Sequence, residues 1–121
     1  MESAESGAGT ALAAGLALAM LLLMGLLLGL GQAAVAAARA AKAADLAALA
    51  AADVYRGLAA GDPCAVAAQT AARNGAALES CALAGDLSVQ IHVSVTTPFP
   101  WPASAVARAG PPSDAVLPGR P

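Results

Sequence analysis

The chain has 121 residues, of which 59% are apolar, 12% charged and 2% aromatic. An ordinary soluble domain is about 45–50% apolar and about 25% charged, so a membrane segment beside one small domain is expected. The formal net charge is -2 and the six basic residues are scattered singly. This composition argues against a nucleic-acid partner.

The N-terminal part contains an apolar segment, Ala8–Leu30, and no charged residue occurs between Glu5 and Arg39. At about 1.5 Å of rise per residue, the segment is long enough to cross a hydrocarbon core of about 30 Å. It lacks the polar stripe of a buried soluble helix. We therefore predict a transmembrane helix in contact with membrane lipid.

A cleaved signal peptide is the alternative, because the small residues from Gly31 to Ala38 offer possible cleavage sites. Two features favour an anchor instead. The flank before the apolar run carries Glu2 and Glu5 and no basic side chain. The apolar run is also longer than the hydrophobic region of a signal peptide, which usually has about 7–15 residues.

Small residues recur at four-residue spacing inside the predicted membrane helix. Gly25 and Gly29 form a GxxxG pair, and Gly15 and Ala19 form a second small-residue pair. Such spacing allows helices to approach closely in lipid. Because glycine is common in helices rich in Ala and Leu, the pattern also arises by chance.

The segment from Gln32 to about Ala60 is nearly all alanine, which predicts that the membrane helix continues to that point. The residues Gly61, Asp62 and Pro63 should then end it.

The two faces of this alanine-rich helix differ. A smooth alanine face predicts close contact with another helix, from this chain or a partner. The other face should form charge pairs at i,i+3 spacing. These pairs are Lys42 with Asp45, and Asp53 with Arg56. The simplest interpretation of the charges is a solvated surface.

The remaining chain predicts a small α+β domain. Asp62 can cap a short helix with Pro63 at its first position, running from Cys64 to about Arg73. A first strand over Ala77–Leu83 and a turn at 84–86 precede an alternating strand from Leu87 to Thr96. The result is an antiparallel hairpin, or a three-stranded sheet if Ala103–Ala109 contributes a third strand.

Prolines dominate the rest of the sequence. The segment Pro98–Pro102 is expected to be extended, with Phe99 and Trp101 either on the membrane interface or over the open end of the hairpin. Residues from Gly110 onward have the composition of a disordered tail. The predicted domains are therefore 1–60, the N-terminal transmembrane and alanine-rich helix, 61–109, the exported α+β domain, and 110–121, the tail.

Chemistry-bearing residues are few. The two cysteines, Cys64 and Cys81, are not in a CxxC pair, and the single histidine, His92, cannot complete a zinc site with them. An even cysteine count after a membrane segment favours one disulfide in an oxidising compartment; two unpaired thiols are the alternative. No nucleophile arrangement is recognisable. We therefore expect no enzyme, no cofactor and no small-molecule substrate.

Several segments together resemble the TadE/TadG-like pilus-assembly proteins, and most closely the short actinobacterial TadE-like group. The most specific piece is the block Ala43-Ala44-Asp45-Leu46-Ala47-Ala48-Leu49-Ala50. The entry into the membrane helix at Gly7–Leu12, the run Gly31–Arg39 and the Gly61–Cys64 segment also match. The resemblance covers most of residues 6 to 110.

This resemblance implies a minor pilin or pseudopilin-like component of a Tad (Flp) pilus or related secretion system. Such proteins carry a small exported domain on an N-terminal helix that lies half in the membrane. Their partners would be other pilus or secretion components, contacted through that helix. The alternative is a membrane-anchored, extracytoplasmic binding protein unrelated to pili.

The orientation is predicted from conflicting signals. Arg39 and Lys42 follow the apolar segment, so the positive-inside rule favours a cytoplasmic C-terminus. The cysteine pair and the resemblance favour an exported C-terminal domain. Because the two basic residues begin several positions beyond the apolar core, we expect a single-pass cell-membrane protein with a cytoplasmic N-terminus and an extracytoplasmic C-terminal domain.

The membrane anchor has a direct test. The full-length chain should stay with membranes after high-salt and carbonate washing, because Ala8–Leu30 is long enough to span the bilayer. Immunoblotting of the washed membranes checks this. Release into the medium of a chain beginning near residues 34–38 would show instead that the segment is a cleaved signal.

Overall fold

The computed structural model describes the backbone of residues 2–111 and the side chains of residues 7–111. Its elements are helix α1 (Glu2–Tyr55), helix α2 (Pro63–Arg73), and strands β1 (Ala77–Leu83), β2 (Val89–Val95) and β3 (Ala103–Ala109). The strands form one antiparallel sheet in the order β1-β2-β3. This arrangement confirms the predicted α+β fold with its three-stranded sheet. Most of the predicted tail lies outside the described residues.

The chain forms two compact units that divide between Ala33 and Ala34. The first unit is the N-terminal part of α1. Among the described residues this is the one helix long and apolar enough to cross a membrane. The second unit contains the rest of α1, together with α2 and the sheet. The alanine-rich part of the helix therefore belongs with the small domain.

The core of the second unit is built from small residues on α1. The buried alanines of this helix recur at intervals of three and four residues, as one helical face requires: Ala36, Ala40, Ala43, Ala44, Ala47, Ala48, Ala51 and Ala52. They share one hydrophobic cluster with Ala67 and Ala71 of α2 and with the aliphatic face of β2. The expectation of a helical partner for this face was therefore incomplete, because it omitted the sheet.

Two contacts fix the direction in which α1 runs along the sheet. The Tyr55 hydroxyl donates a 3.0 Å hydrogen bond to the carbonyl of Ala84, in the β1–β2 turn. At the other end, Arg39 Cδ lies 3.4 Å from the position of a Cβ built on Gly75, just before β1. Between Arg39 and Tyr55 the helix advances about 24 Å, which matches the length of about 23 Å of a seven-residue strand.

Helix α1 ends at Tyr55, so the predicted end near Ala60 was wrong. The reason is Gly57, which adopts the left-handed conformation with φ +83°. Its N–H donates to the carbonyl of Val54 at 3.1 Å, and the N–H of Leu58 donates to the carbonyl of Asp53 at 2.8 Å. This pair of bonds is a Schellman motif, which ends the helix before Gly61 is reached.

Helix α2 has the predicted signals at both ends. The Asp62 side chain accepts a 2.9 Å hydrogen bond from the N–H of Ala65, and Pro63 occupies the first turn. After Arg73, the N–H groups of Asn74 and Gly75 donate to carbonyls in the last turn, and Gly75 has φ +76°. These ends confirm the prediction to within one residue.

The turn between β1 and β2 differs from the prediction. Leu87 was predicted to begin the alternating strand, but it lies in the turn with φ +64° and is 44% exposed. The N–H of Leu87 donates to the carbonyl of Ala84, and the N–H of Ala84 donates to the carbonyl of Ser88. This is a three-residue hairpin loop whose last position normally favours glycine. Strand β2 therefore begins only at Val89.

The alternation predicted for β2 is otherwise present. Val89, Ile91 and Val93 are fully buried, whereas Gln90 and His92 are exposed. The exception to the predicted wet face is Ser88, which is buried. It lies under Gly110, where an added Cβ would come within 2.7 Å of the Ser88 Cβ.

The predicted charge pairs on α1 do not form. Among the described side chains, the only salt bridge joins Arg108 to Asp86 at 3.1 Å. No ion pair joins Lys42 to Asp45, or Asp53 to Arg56, within the described residues. All four side chains are exposed and therefore solvated. Such surface pairs contribute little to stability in any case.

The helix end generates a stability prediction. Replacing Gly57 by Ala should lower the free energy of unfolding by about 1–2 kcal/mol, because an L side chain disfavours the left-handed conformation. Nothing lies within 4 Å of the added methyl, so backbone strain alone is responsible. Chemical denaturation of the full chain in detergent, followed by the fluorescence of Trp101, measures the change.

Gly85→Ala is the matched control. Gly85 also has open space around an added Cβ, but its φ is not positive. Equal effects of the two substitutions would contradict the role assigned to Gly57.

Candidate interaction surfaces

The apolar part of α1 exposes large side chains on all sides. The leucines and methionines between Leu12 and Leu30 are 56–73% exposed. Gly25, of the predicted packing pair with Gly29, has no atom within 4 Å of an added Cβ. This surface fits a lipid environment, and the helix-packing role of the glycines stays a prediction.

The block that carries the resemblance is divided between two faces of α1. Ala43 and Ala44 are fully buried in the core of the second unit. Asp45 is exposed, Leu46 is 37% exposed and Leu49 is 56% exposed. The small residues of the block therefore build the domain, whereas its two leucines face outward.

A disulfide joins Cys64 to Cys81, with their Cα atoms 5.8 Å apart. Cys64 lies in the first turn of α2, and Cys81 lies within β1 opposite the fully buried Ile91. The bond agrees with the predicted pairing and ties α2 to the sheet. Closing a loop of this length stabilises the folded state by roughly 3 kcal/mol in the chain-entropy model.

A polar network at the β1–β2 turn was missed by the sequence analysis. The carboxylate of Asp86 accepts hydrogen bonds from the Ser88 N–H at 3.2 Å and from the Ser88 hydroxyl at 2.5 Å. Arg108 of β3 donates to Asp86 at 3.1 Å and to the Ser88 hydroxyl at 2.8 Å. The hydrogen bonds from the Ser88 hydroxyl and then from the Ser88 N–H, followed by the Arg108 charge, hold the pKa of Asp86 below its ordinary value.

The network fastens the end of β3 to the hairpin turn. An Asp within a tight turn is a recognisable signal, since its side chain commonly bonds the backbone two residues on. The partner Arg108 could not be recognised, because it lies 22 residues further along the chain.

On the outer face of the sheet β2 carries polar side chains, His92 with Gln90 and Ser94 on either side of it, and the exposed Val106 of β3 lies opposite His92. Ser94 donates a 2.5 Å hydrogen bond to Glu79, which lies at a bulge in β1. Within residues 7–111, no group of three His, Cys, Asp or Glu side chains is arranged to hold a metal ion. The outer face therefore offers hydrogen-bonding groups without an evident catalytic arrangement.

The β2–β3 loop carries two aromatic side chains, of which Trp101 is exposed and Phe99 is half-buried. Phe99 and Trp101 stack on each other, with ring centroids 5.9 Å apart and an angle of 13° between the planes. Trp101 is 66% exposed, so it does not cover the end of the hairpin. Two positions were predicted, on the membrane interface or over the open end of the hairpin. The exposure of Trp101 argues against the second.

Comparison of the chain with protein-family models, with curated proteins and with solved structures finds no match. The resemblance to the TadE/TadG-like proteins therefore rests on the residues quoted above.

The disulfide generates a prediction for protein isolated from cells. Cys64 and Cys81 should be unreactive to a thiol probe until reductant is added, because their sulfurs are bonded to each other. Mass spectrometry of the labelled chain measures this. Cys64→Ser should lower the free energy of unfolding by roughly 3 kcal/mol through loss of the cross-link.

The matched control is Ser80→Ala, beside Cys81 on an exposed position of β1. This variant should behave as the wild type. Ready labelling of both cysteines without reductant would contradict an oxidising location for the domain.

Proposed function

We propose that this chain is a minor pilin-like structural or assembly component of a Tad (Flp) pilus or a related secretion system. The observation that carries the proposal is one helix with two different parts. Its N-terminal part exposes apolar side chains all around, and its C-terminal part forms the core of a small disulfide-bonded α+β unit. The sequence resemblance supports the same assignment.

The partners proposed are other pilus or secretion components, contacted through α1. Leu46 and Leu49 support this proposal because they are large apolar side chains left exposed beside a buried alanine face. Gly25 and Gly29 offer close approach to a second helix in the membrane. No enzymatic activity is proposed.

The proposed location is the cell membrane, with the N-terminus cytoplasmic and the domain extracytoplasmic. The disulfide supports this orientation, since such bonds persist in oxidising compartments and are rare in the cytosol. A filament component must also present its domain on the outer side of the membrane.

Deleting the gene in the native host tests the function. Surface filaments, counted by electron microscopy, or secretion by the associated system should be lost or strongly reduced, and the wild-type gene should restore them. The variant Leu46→Ser/Leu49→Ser should fail to restore them while the protein level stays normal, because both side chains lie outside the core.

Gln69→Ser, at an exposed position of α2, is the control variant and should restore filaments. Unchanged filaments and secretion after deletion would contradict the proposal. That outcome would favour the alternative of an anchored extracytoplasmic binding protein.

The orientation has its own test. Alkaline phosphatase, which folds only after export, should be active when fused after Pro121. Inactive phosphatase on a stably expressed fusion, together with an active cytoplasmic reporter at the same site, would reverse the topology. The pilus assignment would then fall as well, because a cytoplasmic domain cannot join an extracellular filament.

A further inference from the structure

One end of the second unit is defined by the point at which α1 enters it. Arg39 lies at this end, against Gly75 in the turn that leads into β1. The first residue of β1, Ala77, pairs with Ser94 near the end of β2. The β2–β3 loop, residues 96–102, follows directly and therefore lies at the same end of the sheet.

The opposite end of the unit carries the β1–β2 turn, because Tyr55 bonds to Ala84 there. The β2–β3 loop, which carries Phe99 and Trp101, therefore lies at the end of the second unit at which α1 enters it. Since no charged residue separates Glu5 from Arg39, Arg39 is the first charge that the helix presents after its apolar segment. It lies beyond the charge-free run Gly31–Ala38, where it can meet lipid phosphate.

The aromatic loop is held in shape by its own hydrogen bonds. The Thr97 hydroxyl donates to the carbonyl of Trp101 at 2.6 Å and accepts from the N–H of Phe99 at 3.2 Å. Proline occupies positions 98, 100 and 102, which restricts the backbone between these bonds. An ordered turn therefore holds Trp101 in an exposed position, stacked on the half-buried Phe99.

The charges at this end are mostly basic. Arg39 is exposed, and so is Arg73 at the end of α2, two residues before Gly75. The acidic side chain on the adjacent part of β1 is Glu79, which bonds to Ser94 on the outer face of the sheet. Trp is enriched at the membrane–water boundary because its ring is amphipathic. An Arg at the same boundary can meet lipid phosphate.

We infer that the loop 96–102 rests on the membrane interface, with the Trp101–Phe99 stack among the lipid headgroups and Arg39 and Arg73 facing lipid phosphates. The inference rests on the proposed membrane anchoring of α1. It adds a second membrane contact, made by the small domain itself.

The test uses the intrinsic fluorescence of Trp101, the only tryptophan of the chain. The full-length protein is reconstituted into phosphatidylcholine vesicles containing a minority of phosphatidylglycerol. Trp101 emission should shift to the blue relative to the protein in denaturant. It should be quenched by lipids brominated near the headgroup, and shielded from aqueous iodide.

The variant Trp101→Phe/Leu58→Trp provides the matched control. It moves the fluorophore to an exposed position beyond the opposite end of the unit, after Tyr55. Its emission should be quenched by iodide and should be insensitive to brominated lipid. Equal lipid quenching of the two proteins would overturn the inference.

Flotation of the vesicles distinguishes failure of the membrane anchor from failure of the loop contact alone. A chain that does not float contradicts the membrane anchor and this inference together. A chain that floats while Trp101 stays open to iodide and unquenched by lipid contradicts this inference alone.

Discussion

The alanine face of α1 is the constraint on which the small domain depends. Alanine at every inward position, from Ala36 to Ala52, leaves the helix surface smooth and narrow, so its neighbours can approach closely. Each alanine removes only one methyl group from water, worth about 0.8 kcal/mol. The larger buried side chains must therefore come from the sheet, where Val89, Ile91 and Val93 occupy the central strand. The helix and the sheet pack well because the small alanine side chains of α1 leave room for the larger, branched side chains of β2.

A core whose helix face consists of alanine buries little apolar area. A disulfide and a hydrogen-bond network add cross-links that stabilise the domain. The disulfide ties α2 to β1, and the Arg108–Asp86–Ser88 network ties the end of β3 to the hairpin turn. Small domains commonly need such cross-links because they bury too little apolar area. The Tyr55 hydrogen bond joins the end of α1 to the same turn. The turn at 84–88 is therefore held by both the helix and the third strand.

The sequence predicted the elements better than their junctions. The alternation from Val89 to Val95 and the cap at Asp62 are local patterns, and both appear as predicted. The end of α1 was misplaced because Gly57 looked like an isolated glycine in a helix, and the bonds that make it a terminus involve Leu58. Leu87 was misplaced because its side chain continues the apolar alternation, while the turn geometry takes it out of the strand. The Arg108 network could not be predicted because it joins residues that are distant in sequence. The aromatic stack could not be predicted because it depends on the conformation of the loop.

The block from Ala43 to Ala50 separates what the fold needs from what it does not. Ala43 and Ala44 are required by the core, since any larger side chain there would push the helix away from the sheet. Leu46 and Leu49 make no comparable contribution, and alanine at both positions would leave the same buried face. The two leucines lie about one helical turn apart, and neither belongs to the hydrophobic core. The most specific part of the resemblance thus contains two residues whose role is not explained by folding, and the proposed function assigns them to contact with another helix.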